Sequence, residues 1–185
     1  MKWLLTMVVA TVSAGIAVPR VAVCEEPARE ALRYLAGTWG GSVAGEESAS
    51  SRTGNLGRTV YYGTAKPTAD SKSVLQIGGW SIEGVSGNVG WANLYKLGTE
   101  PNRMVIYIYS TNADHSIVNA TVTPRGKFFE ITGEETGVTP DRKLTASQFT
   151  LVVTDENHFC IKSTSRTVDG VARPDEALEY VRKNN

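Results

Sequence analysis

Leu35-Ala36-Gly37-Thr38-Trp39-Gly40-Gly41 is the stretch in which the chain passes from helical to strand-like patterning. Ahead of it, Ala31, Leu32, Tyr34 and Leu35 stand at helical spacing. Pro27 sits where a helix can start, since its missing N–H would be unpaired in a first turn anyway. Gly37 stops the run. A helix this short is not stable alone, so it must dock, and a lid over one end of the following structure is the expected place.

Beyond Trp39 helical periodicity is lost. Runs of strand length, rich in β-branched and aromatic residues, cover Trp39–Ala44, Arg58–Lys66, Val74–Glu83, Asn88–Lys96, Arg103–Ser110, Ser116–Thr123, Lys127–Gly133, Gln148–Thr154, His158–Val168 and Ala177–Arg182. Turn chemistry separates them, as at Gly84 and Gly87, Pro124-Arg125-Gly126, Asp155-Glu156-Asn157 and Asp169-Gly170. Even spacing with no helices between predicts antiparallel neighbours in a meander, and closing the sheet removes its edges. The expected fold is all-β: a single antiparallel up-and-down β-barrel of about 8–10 strands with a short N-terminal helix. A β-sandwich is the competing arrangement. Lys66–Lys72 and Gly133–Thr145 read as the longer loops, the second as a candidate flap over the barrel mouth.

At 185 residues the chain suits one well-cored domain. Its first residues read as a secretory signal peptide: Lys2, then the apolar run Trp3–Val12, then Ser13, Ala14, Gly15 and Ala17. The run is too short to span a bilayer as a helix. Cleavage after Ala17 fits the small-x-small rule, with Ala14 nearly as good and a retained N-terminal anchor as the alternative. The expected organisation is therefore a signal peptide over 1–17, a tail over 18–26 and a barrel domain over 27–185, secreted or periplasmic. The whole chain carries 19 basic and 19 acidic residues. Removing Lys2 leaves a net charge of −1, which gives no electrostatic case for nucleic acid or an anionic membrane. After cleavage no stretch is long and apolar enough for membrane insertion.

Two cysteines, Cys24 and Cys160, suit one disulfide in an oxidising compartment. Two unpaired thiols, with Cys160 as a small buried apolar residue, fit equally. The sequence before Cys24 lacks the usual features of a lipoprotein signal.

Strand alternation nominates interior residues. Trp91, Asn93 and Tyr95 share one face, Gln76, Trp80 and Ile82 another, and Ile117, Asn119 and Thr121 a third, opposite Val118, Ala120 and Val122. Arg103–Ser110 is apolar on both faces, so its outer side is expected to be covered, the leading helix being one candidate. If the nominated faces point inward, Gln76, Trp80, Trp91, Asn93, Tyr95 and Asn119 line a site for a small apolar ligand. A one-residue register error would reverse the assignment, and large side chains that simply fill the barrel are the alternative.

The Leu-Ala-Gly-Thr-Trp-Gly-Gly opening after a short helix resembles the start of calycin-type barrels, the lipocalins, fatty-acid-binding proteins and bacterial relatives. In that superfamily the Gly-x-Trp tryptophan closes the barrel floor and an arginine of the last strand packs across it. The resemblance implies structural roles for Trp39 and Arg182. It is closest to a bacterial group of secreted lipocalin-like domains of unknown function, with Tyr180-Val181-Arg182 matching their last strand. The other lipocalin motifs are absent, and the group supplies no activity.

No hydrolase elbow, zinc-protease, phosphate-loop or dinucleotide motif is present. The two histidines, His115 and His158, fall in turn-like sequence, a poor basis for a serine triad or zinc. A haem held by one histidine would need His158 inside rather than at the rim. Glu134 and Glu135 are adjacent, so on a continuous strand they point to opposite faces and cannot act as a glycosidase pair. A solvated rim is their default. No catalytic residue, metal site or cofactor is therefore nominated. A carrier of a small apolar molecule is the first expectation, a structural or protein-binding module with a filled barrel the second, and an enzyme acting inside the barrel the third.

Overall fold

The computed structural model describes residues 26–43, 59–82, 89–111 and 115–183. The expected signal segment over 1–17 and Cys24 lie outside them, so the disulfide and cleavage expectations do too. Helix α1 (Pro27–Leu35) starts at the proline and ends ahead of Gly37. Strands β1 (Gly37–Val43), β2 (Thr59–Pro67), β3 (Ser73–Ile82), β4 (Val89–Leu97), β5 (Arg103–Ser110), β6 (His115–Arg125), β7 (Phe128–Val138), β8 (Leu144–Asp155), β9 (His158–Val168), β10 (Val171–Ala172) and β11 (Glu176–Arg182) follow.

From β1 to β9 each strand pairs antiparallel with the next. The circle closes because β11 sits between β9 and β1. Ten strands form the closed barrel, and β10 is a two-residue flap bonded only to β9. It is set by Asp169 and Gly170, whose φ of 49° and 77° make the turn that Asp-Gly favours.

Two expectations are corrected. Gly133–Thr145 is not a loop: β7 runs on to Val138 and β8 starts at Leu144, leaving only Thr139–Lys143 as the connection. Nor does α1 cover β5, whose outward Tyr107 and Tyr109 remain exposed. The helix caps one barrel end (the lower end), burying Ala28, Ala31, Leu32 and Leu35 against β2, β3, β4 and β6. Its Ala28 N–H donates to Pro101 O, in the turn before β5, at 3.2 Å.

Inward-facing residues change character along the barrel. Near the lower end Trp39, Ala65, Val74, Tyr95, Met104, Ile106, Val122, Phe129, Ile131, Leu151, Val153, Phe159 and Tyr180 are all buried. They form one packed core with the buried face of α1. Further up the same inward faces, Ile108 and Ser110 on β5, Glu135 and Gly137 on β7, Thr145 and Ser147 on β8, and Ser163 on β9 are only half-buried. Among the described residues the barrel is solid below and partly accessible along its upper inward faces.

Candidate binding site in the upper barrel

The floor is built from the motif that opens β1. Trp39 is buried, and its Nε1–H donates to Leu35 O, at the end of α1, at 2.9 Å. Arg182 is its cross-strand partner on β11, with the guanidinium carbon 4.2 Å from the Trp39 ring centroid. Nη1 of Arg182 donates to Ala36 O at 2.8 Å and Nη2 to Tyr34 O at 2.6 Å, so one side chain ties the last helical turn to the barrel. Gly37 is required here: its φ is +137°, and an added Cβ would lie on Arg182 Nη1.

Above this floor, five of the residues nominated from sequence come together on adjacent strands. Gln76 on β3 pairs with Asn93 on β4, and both face inward, as do Trp80, Trp91 and Tyr95. The Tyr95 hydroxyl donates to Gln76 Oε1 at 3.0 Å, and Asn93 Nδ2 donates to the Tyr95 oxygen at 3.4 Å. Burial pushes the Tyr95 phenol pKa up to about 12, so it stays a neutral donor, and burial raises Tyr180 as well.

Trp91 lies flat against the barrel wall. It can do so because Gly63 on β2 and Gly78 on β3 are cross-strand partners without side chains. A Cβ at either would come within 2.7 Å of its six-membered ring. Its indole Nε1 is buried, yet finds no hydrogen-bond partner among the described residues. An unpaired buried donor is costly, commonly about 1–3 kcal/mol, and rare in native structures.

The opposite wall carries a group that the sequence reading placed at a solvated rim. With β7 continuous, Glu134 faces out and Glu135 faces in, beside Val118 and Ser147. Ser116 Oγ donates to Glu135 Oε1 at 2.5 Å, and Ser147 Oγ donates to Oε2 at 2.7 Å. The alternation Phe129, Ile131, Gly133, Glu135, Gly137 was the available signal, hidden by taking Gly133 as a strand end.

Asn119 does not belong to this site. It faces outward and is exposed, because the apolar face of β6, Val118, Ala120 and Val122, takes the interior instead. It borders a polar depression of about 390 Å³ on the outer wall, with Arg103, Thr121, Glu134 and Gln148. His115 starts β6 on the outer wall, stacked on Tyr109 at 4.5 Å. His158 is exposed at the lower rim, its Nδ1 2.7 Å from Asp155 Oδ1. Burial raises the pKa of the half-buried Cys160 thiol. Among the described residues no three of His, Cys, Asp and Glu gather as a metal site, and no helix is long and apolar enough to cross a membrane.

An antiparallel ten-stranded barrel with an accessible upper interior is the class of architecture the structure defines. By sequence, no protein-family model and no curated protein matches the chain. By structure it is similar to Rv2717c from M. tuberculosis, with a TM-score of 0.62 and 12% identity over 86% of this chain and 98% of that one. At that identity the likeness concerns the fold.

Proposed function

We propose that this protein is an exported, calycin-like carrier that holds a small, mostly apolar molecule in the upper half of its barrel. The observation that carries the reading is the gradient along the inward faces. From Tyr95 downward the inward side chains form a close-packed core, whereas toward the upper end Trp80, Asn93, Ile108, Ser110, Glu135 and Ser147 are only half-buried beside the buried Trp91 and Ser116. A barrel meant only to be a rigid module gains by filling both halves. The apolar N-terminal run with small residues after it supports export. The Trp39–Arg182 floor supports kinship with the calycins, a relationship of architecture that leaves the ligand open.

The test is native mass spectrometry of the mature protein purified from an exporting host, before and after extraction with organic solvent. A reproducible adduct that leaves with the solvent, and is lost when Trp91 is replaced by Ala, is expected. A bare mass in every preparation, with no mass shift on incubation with a panel of small apolar compounds, would refute the carrier reading.

A further inference from the structure

We propose that Glu135 anchors a cationic group, so that the ligand is an amphiphilic amine with its ammonium at Glu135 and its apolar body in the upper barrel. This rests on the carrier reading above and adds the chemical class of the cargo. Strand parity makes Glu135 an inward residue, between Val118, which is fully buried, and Ser147. Each of its oxygens accepts a hydrogen bond, from Ser116 on one neighbouring strand and Ser147 on the other. One hydroxyl donor on each oxygen fixes the carboxyl group in place, and both oxygens keep lone pairs to offer into the barrel.

A half-buried carboxyl group that faces the barrel interior is a strong acceptor for a cation's N–H groups. Among the described residues Glu135 makes no ion pair, and Arg166, on β9, is engaged elsewhere, bonding Glu176 at 2.7 Å and Pro174 O at 2.8 Å. A ligand's ammonium would take the lone pairs that Ser116 and Ser147 leave free. The rest of the lining agrees. Indole faces such as those of Trp80 and Trp91 attract cations, and Ile108 offers apolar surface. An anionic ligand would meet repulsion from the carboxylate.

The experiment compares two fluorescent probes of the same body, dansylcadaverine, which ends in a primary ammonium, and N-pentyl dansylamide, which carries the same five-carbon chain and is neutral. Wild-type protein is expected to bind the cationic probe about tenfold or more tighter. In Glu135→Gln the ratio of the two affinities should fall to about one. Equal affinities in the wild type, a comparison that needs no variant, would overturn the cation assignment while leaving the carrier standing. A preference that persists in Glu135→Gln would overturn the role of this residue. If neither probe binds and the native mass is bare, the carrier reading itself fails.

Discussion

Replacing Arg182 with Ala removes a side chain that joins α1 to the barrel floor. Two charge-assisted hydrogen bonds, to Ala36 O at 2.8 Å and Tyr34 O at 2.6 Å, are lost, along with the stack on Trp39 at 4.2 Å. Hydrogen bonds of this kind contribute about 1.5–3 kcal/mol each, and the stack about 1 kcal/mol. Arg182 is half-buried, so water reaches the vacated carbonyls and recovers part of even the lower figures, which total about 4 kcal/mol. The expected loss is about 2–4 kcal/mol, or a fall in Tm of roughly 6–12 °C for a domain this size. Urea unfolding followed by tryptophan emission, with an unchanged m-value, measures it. Arg182→Lys should recover less than half, because one ammonium cannot span both carbonyls and stack. Amide exchange should accelerate in Pro27–Leu35 before the strands. An Ala variant within about 0.5 kcal/mol of wild type, which is the range of ordinary surface substitutions, would refute the reasoning.

Gly63→Ala forces the Trp91 ring off the wall, because the new Cβ would stand 2.7 Å from Cη2. A loss of about 1–3 kcal/mol, shifted tryptophan emission and weaker probe binding are expected, and unchanged emission would contradict the packing. Tyr95→Phe leaves Gln76 without its donor and should cost about 1 kcal/mol in a denaturation curve. The Tyr95 phenol, normally near 10.0, is raised to about 12 in the fold, so the unfolded chain loses that proton first as pH rises. Its contribution is whole below pH 10.0 and disappears as pH passes about 12, up to about 3 kcal/mol in all. Tyr95→Phe should therefore show the shallower alkaline limb. Leu144→Ser, at a side chain 68% exposed, should stay within about 0.5 kcal/mol.

The closed barrel and its floor were legible because each depends on local patterning. Turn residues separate the strands, and the opening motif marks the place where helix yields to strand. The inward faces of β3 and β4 were legible for the same reason: large aromatic and amide groups alternate there with small or exposed ones. β6 was not, since Ile117 and Asn119 on one face compete with Val118 and Ala120 on the other. The decision falls to packing against β5 and β7, where Val118 and Ala120 are fully buried and Ile117 is left 42% exposed. Gly133 and Gly137 misled in another way. Glycine usually weakens a strand, yet a Cβ at either would come within 2.4 Å of a neighbouring carbonyl oxygen, so their smallness lets β6 and β7 approach. Only with β7 extended through them does Glu135 come inside to meet Ser116 and Ser147, serines 31 positions apart that no local spacing connects.

The central claim is a barrel solid below Tyr95 and built to be occupied above it. A crystal structure of protein purified without solvent extraction from an exporting host tests this most directly. Ordered density that belongs to no residue, lying in the upper barrel between the Trp80 and Glu135 walls, is predicted. An upper interior filled by the protein's own side chains, with Trp91 Nε1 bonded to one of them, would contradict it.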